Sequence, residues 1–237
     1  VLRRPLYPAD LSASGLFGTI AWTNIIYIKE IIEEMMNHKE RMLAGLPYKA
    51  WMDGLAEEQL ANKKKIREYN LCPPEEKERI DEIMRSILGK AGSNLNILPP
   101  FHCDYGKNIE VGNNFMSNFN CTILDVGKVT IGDNVMFGPN VSIITAGHPI
   151  HPDSRNSGYE YGIPITIGDS VWIGANVVVN PGVTIGHNVV IGSGSVVTKD
   201  LPDNVIAVGN PCRVLRTITE EDRPYYYKDR KFDVEDY

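Results

Sequence analysis

From Ile167 the chain reads Ile-Gly-Asp-Ser-Val-Trp, Ile-Gly-Ala-Asn-Val-Val, Val-Asn-Pro-Gly-Val-Thr, Ile-Gly-His-Asn-Val-Val and Ile-Gly-Ser-Gly-Ser-Val. Those are five hexads without a slip, and Val197 opens a sixth. A repeat at a fixed period decides an architecture before local propensity does. The same register appears earlier at Ile131-Gly132 and Phe137-Gly138, with a looser copy from Val111-Gly112. Ile143 and Ile167 are 24 residues apart, a whole multiple of six, so the stretch between them interrupts the repeat without shifting it.

The hexad has a direct physical reading. A β-branched residue at the first position points inward, and a small Val or Ser at the fifth fills beside it. Gly, Asn or Asp between them lets the chain turn a corner. Three such edges close a triangular coil of about 18 residues, and successive coils stack their backbone hydrogen bonds at about 4.8 Å. The expectation is a mainly β chain built as a parallel β-helix.

Ahead of Pro99-Pro100 the texture is helical. Ala56 to Tyr69 is rich in Glu, Gln, Lys, Arg and Ala, with Leu60 and Ile66 as sparse apolar positions. Pro73-Pro74 breaks the chain and starts a second helix, Glu75 to Leu88, whose Ile80, Ile83, Met84, Ile87 and Leu88 form one apolar stripe. Gly89 stands where a helix stop belongs. The stripes read as packing faces, and the helical region is a natural cover for the open end of the first coil.

The expected organisation is therefore a non-native or upstream extension over 1–35, an N-terminal helical region over 36–95, a β-helix over 96–215 with an inserted loop at 145–164, and a tail over 216–237. The first segment is set apart because Leu11 to Ile28 carries no charge yet holds Ser12, Ser14, Thr19, Thr23 and Asn24. Asp10 splits it from Arg3 and Arg4, and it lacks the compact apolar block of a signal or anchor. Met35 and Met36 open a stretch that reads like an ordinary protein start.

A formal charge of -6 leaves no basic field to draw in a polynucleotide. Cys72, Cys103, Cys121 and Cys212 are widely spaced with no C-x-x-C, which reads as buried reduced thiols.

Hexads of this kind resemble the left-handed β-helix of hexapeptide acyltransferases; the hand is implied by that resemblance alone. Lys39 to Asp229, roughly four fifths of the chain, is similar in order and spacing to the galactoside and maltose O-acetyltransferase family. The carrying motifs are Asp104-Tyr105-Gly106, Asn113-Asn114-Phe115, Asn118-Phe119-Asn120 and Gly147-His148-Pro149. They continue with Pro164-Ile165-Thr166-Ile167-Gly168, Val171-Trp172-Ile173-Gly174, Val197-Thr198-Lys199-Asp200 and Gly209-Asn210-Pro211-Cys212-Arg213-Val214. One hexad is a weak signal; the ordered set is strong.

The resemblance places the catalytic histidine on His148, at the start of the interrupting loop, where function on a rigid scaffold usually sits. Acetyl transfer from a thioester to a hydroxyl needs a base, and neutral imidazole suits that task near pH 7. It also implies an acetyl-CoA site at Trp172, Ala175, Ser193, Thr198, Lys199, Arg213 and Arg216. Trp172 followed by Gly174 and Ala175 offers a flat apolar wall for the pantetheine arm, and the cations suit its phosphates. Some relatives carry a serine at the position of Ala175, so the oxyanion donor here falls to a backbone N–H.

On the acceptor side the resemblance implies Asp104, Met116, Asn118, Asp125 and Glu160. Ala50, Met116 and Val126 depart from the galactoside pattern, which points to a maltose- or glucose-like acceptor. A turn or capped corner is the competing reading for Asp104 and Asp125. The family also implies a homotrimer with sites between subunits, a cytoplasmic setting where acetyl-CoA is available, no metal, and neither nucleic acid nor membrane as partner.

Three rival readings share the scaffold. An antibiotic or other small-molecule acetyltransferase stays within the enzyme class. A γ-type carbonic anhydrase needs three histidines converging on zinc, and His102, His148, His151 and His187 lack that motif's spacing. A sugar-binding scaffold without catalysis is disfavoured because the base and CoA positions are intact.

Overall fold

The computed structural model describes residues 33 and 35–236. Residues 1–37 and His38–Tyr237 form two separate units, and the fold belongs to the second. The expectation that 1–35 is an extension lies outside the described residues, apart from Glu33 and Met35.

The second unit is a parallel β-helix of about six stacked coils. Short strands stack into three sheets. The first face carries Lys90–Ala91, Ile109–Val111, Val129–Ile131, Ile165–Ile167 and Thr184–Ile185. The second carries Asn96–Ile97, Met116–Ser117, Met136–Phe137, Trp172–Ile173, Val190–Ile191 and Val205–Val208, and Arg213–Thr217 adds antiparallel to the last. The third carries Phe101–Cys103, Cys121–Leu124, Ser142–Ile144, Val178–Val179 and Val196–Val197.

The hexad chemistry explains the packing. First-position residues Ile167, Ile173, Val179, Ile185, Ile191 and Val197 and fifth-position residues Val171, Val177, Val183 and Val189 are all buried in one continuous core. At the first corner the backbone N–H groups of Ser93, Asn113, Asp133, Asp169 and His187 each donate to the side chain one coil on, namely Asn113, Asp133, Asp169, His187 and Asp203. Asn94, Asn114, Asn134, Asn188 and Asn204 turn that corner with φ between 53° and 58°, a conformation asparagine tolerates well. Glycine is required beside them: a Cβ on Gly168 would lie 2.8 Å from the backbone of Gly186 in the next coil.

Coil length differs from the uniform 18 residues expected. Partners stand 20 residues apart in the early coils (Ile109 with Val129), 36 across the loop (Ile131 with Ile167), 18 after it (Ile167 with Ile185), and 16 at the end (Ile185 with Leu201). The variation falls at one vertex. Val111, Ser117 and Ile123 keep steps of six, and then eight residues lead to Ile131. The third corner, between the third and first faces, absorbs every irregularity, because the other two are pinned by the side-chain ladders and glycine contacts.

Among the described residues the second unit has the α-helices α1 (His38–Leu43), α2 (Leu55–Leu71), α3 (Lys77–Ile87) and the short α4 inside the loop (Pro152–Asn156). Ile66 and Tyr69 of α2 and Met84 and Ile87 of α3 pack with Ile97, Phe101 and Ile109 in the coil core, at the end of the first coil. The β-helix begins at Lys90, ahead of the expected 96, because Ala91-Gly92-Ser93-Asn94-Leu95 already turns a coil corner without an obvious hexad. The chain beyond Thr217 closes with a hairpin, Tyr225–Tyr227 against Arg230–Lys231. Cys103, Cys121 and Cys212 are buried free thiols and Cys72 is half-buried. No helix of the described residues is long and apolar enough to cross a membrane.

Candidate functional site

The third corner gathers Asp104, Asp125, His148 and Glu160. Ala146–Gly147 pairs antiparallel with Tyr161–Gly162, so the loop leaves the coil through a two-stranded neck and His148 is the first residue beyond it. The neck is tight: a Cβ on Gly147 would lie 2.5 Å from the Tyr161 ring. Thr145, completely buried, anchors its base by donating to the Leu124 carbonyl at 2.5 Å and accepting from Gly127 N–H at 2.9 Å.

His148 is 58% exposed and its Nε2 stands 3.8 Å from Glu160 Oε2, while the Glu160 side chain is only 19% exposed. Glu160 Oε1 accepts from the Tyr48 hydroxyl at 2.7 Å. Tyr48 and Glu160 also exchange both backbone hydrogen bonds, at 2.9 and 3.0 Å. Burial first, then the hydrogen bond to Glu160, pushes the Tyr48 phenol far above its usual range, so it stays a donor. Tyr48 was not legible as a site residue, since one tyrosine in a helical region carries no motif. Its neighbour Lys49 sits 4.9 Å over the Tyr159 ring and adds to the docking of the loop.

Asp104 and Asp125 differ in role. Asp125 is fully buried, and its Oδ1 accepts the backbone N–H groups of Asp104 and Tyr105 at 2.9 Å each. It shapes the corner from inside. Asp104 is half-buried, with burial raising its carboxyl above the usual range and nearby Lys63 opposing that. A cavity of about 660 Å³ opens beside it, lined by Lys63, Ile66, Arg67 and Asn70 of α2 and by His102 and Leu124. That is ample for a sugar.

The remaining candidates are spread over the second face, the second corner and the last coils. Met116, Met136 and Trp172 stack in register on the second face, with Trp172 52% exposed. Asn118, Ala175 and Ser193 occupy the second corner. Asn118 Oδ1 accepts from Phe119 N–H at 2.8 Å, and Ala175 N–H donates to Ser193 Oγ at 3.1 Å. Thr198 and Lys199 are exposed where the chain leaves the third face, and Arg213 is exposed on the antiparallel strand. Arg216 is held by Asp222 through two bonds of 2.7 and 2.8 Å. The third face separates the second corner from the third. Its strand Cys121–Leu124 alone spans four residues, about 13 Å at about 3.3 Å per residue. Within one chain the two groups do not converge.

The histidines do not converge either. His187 accepts Asp169 N–H at 3.0 Å in the first corner, and His151 caps Asp153 N–H at 3.3 Å inside the loop. Among the described residues no group of three or more His, Cys, Asp or Glu side chains is placed to hold a metal ion.

Comparison with known proteins agrees with this fold. The maltose acetyltransferase hexapeptide capping motif matches residues 41–92, the bacterial transferase hexapeptide matches 164–199, and the hexapeptide repeat of succinyl-transferase matches 128–150. The chain is 48% identical over 192 residues to galactoside O-acetyltransferase of Escherichia coli, covering 81% of this chain and 95% of that one. A crystal structure of a maltose O-acetyltransferase from Clostridium difficile is 52% identical with TM-score 0.77, over 78% of this chain and 99% of that one. A galactoside acetyltransferase in complex with coenzyme A is 47% identical with TM-score 0.82, over 84% of this chain and 100% of that one. The chain belongs to the hexapeptide-repeat family of galactoside and maltose O-acetyltransferases, acetyl-CoA-dependent acyltransferases.

Proposed function

We propose that the protein moves an acetyl group from acetyl-CoA to a hydroxyl of a maltose- or glucose-like sugar, with His148 as general base. The observation that carries this reading is the placement of His148: exposed at the neck of the loop, faced by Glu160, on the corner where Asp104 borders an open cavity. His148 takes the hydroxyl proton as the sugar oxygen attacks the thioester carbonyl. The tetrahedral intermediate collapses, the carbon–sulfur bond breaks, and the imidazolium returns its proton to the CoA thiolate. Transfer is direct, with no covalent enzyme intermediate.

Trp172 supplies the wall for the pantetheine arm, with Ala175 and Ser193 beside it; Thr198, Lys199, Arg213 and Arg216 serve the polar end. Asp104 and Asn118 hold the acceptor, Met116 borders it, and Asp125 acts by fixing the Asp104 backbone. Because the base stands at the third corner while Ala175 and Ser193 stand at the second, we infer a homotrimer in which the third corner of one chain meets the second corner of its neighbour. The relatives' names cover maltose and galactoside acceptors alike. The sugar assignment rests on Ala50, Met116 and Val126, of which Val126 is buried in the small cluster against Tyr48 and Tyr105. Work in the cytoplasm follows from the need for acetyl-CoA.

The test is CoA-thiol release from acetyl-CoA with glucose, maltose, a thiogalactoside and chloramphenicol. Turnover highest with glucose or maltose supports the reading. Preference for the thiogalactoside overturns the acceptor assignment, and preference for chloramphenicol moves the protein to the antibiotic class.

A further inference from the structure

The loop that carries His148 is tied to the N-terminal segment through Tyr48 and Glu160, beside the Lys49–Tyr159 contact. Tyr48 is completely buried and pairs with Glu160 through both backbone bonds, so neither residue can turn independently of the other. The phenol donates to Glu160 Oε1 at 2.7 Å. Its other oxygen, Oε2, faces His148 Nε2 at 3.8 Å. A carboxylate so little exposed is weakly screened, so it can offset charge that develops beside it during a reaction.

We propose that Glu160, fixed by Tyr48, is a positioning residue: it sets the orientation of the His148 ring and stabilises the imidazolium that forms when the ring takes the acceptor proton. This rests on the reading of His148 as the base. It assigns Glu160 to the histidine, whereas the family resemblance implied an acceptor contact. Tyr48 touches no reacting atom and works entirely through Glu160.

The test is steady-state kinetics of the full chain with acetyl-CoA and its best acceptor, for Glu160→Gln, Tyr48→Phe and the double variant, each also made in a His148→Ala background. Glu160→Gln is expected to lower kcat about 10- to 100-fold with the acceptor KM within about twofold. Tyr48→Phe keeps the ring and the backbone pairing, which thermal melting checks, and lowers kcat about three- to tenfold. The double variant matches Glu160→Gln alone, and neither change slows His148→Ala further. A raised acceptor KM with unchanged kcat makes Glu160 an acceptor contact and overturns the proposal. So does a Tyr48→Phe effect that persists in full beside Glu160→Gln. Full activity in His148→Ala would remove the base reading and this proposal together, whereas failure of the proposal alone leaves His148→Ala inactive.

Discussion

The buried carboxylate of Asp125 holds the backbone of Asp104 in place, accepting its N–H and that of Tyr105 on a single oxygen. Among the described residues Asp125 Oδ2 has no hydrogen-bond partner. Burial outweighs those two bonds and pushes the carboxyl up to about 6. An acid whose pKa rises on folding binds more protons in the native than in the unfolded chain between the two values. Its contribution to stability is therefore present below the ordinary carboxylate pKa and is lost as pH rises through about 6. Asp125→Asn keeps an acceptor oxygen and removes the charge. The expected result is a flatter stability profile between about pH 4 and 6, with a difference reaching about 3 kcal/mol at neutral pH. Denaturant melts of both proteins across that range check it; parallel profiles contradict it.

Gly168 sits where the first corner of one coil presses on the next, 2.8 Å separating its would-be Cβ from the Gly186 backbone. No flexible side chain can yield there. Gly168→Ala is expected to destabilise the β-helix by about 1–3 kcal/mol. A melting temperature equal to the wild type would show that the coils can part at no cost.

Trp172 is half exposed, so its removal costs little packing. If it lines the pantetheine arm, Trp172→Ala raises the KM for acetyl-CoA about tenfold and leaves the acceptor KM near its starting value. An unchanged acetyl-CoA KM would return Trp172 to a role in subunit packing.

The repeat was legible because each hexad obeys one local rule: inward β-branched residues at positions one and five, corner formers between. That rule places Ile167, Val171 and Ile173 without knowledge of any neighbour. It failed at the third corner, where Leu124-Asp125-Val126-Gly127 adds two residues outside the hexad pattern. The onset at Lys90 was hidden for the same reason. Among site residues, His148 stood out by position in the loop. The Tyr48–Glu160 bond joins residues 112 apart in sequence, and nothing local to either announces the other. The split of the candidates between two corners is likewise a property of the coil's cross-section.

That split gives a sharp test of assembly. His148→Ala and Asn118→Ala damage opposite corners. If each site draws the third corner from one chain and the second from another, mixed oligomers contain intact sites, and about a quarter of wild-type activity is expected on random mixing. If each chain carries a whole site, mixing restores nothing.

The most direct test of the central claim is the rate of CoA-thiol release by His148→Ala, measured with acetyl-CoA and the preferred sugar on protein shown by melting to be folded. His148 acting as general base predicts a fall in kcat of about 100-fold or more. Turnover equal to the wild type would show that the proton leaves by another route and that His148 is not the base.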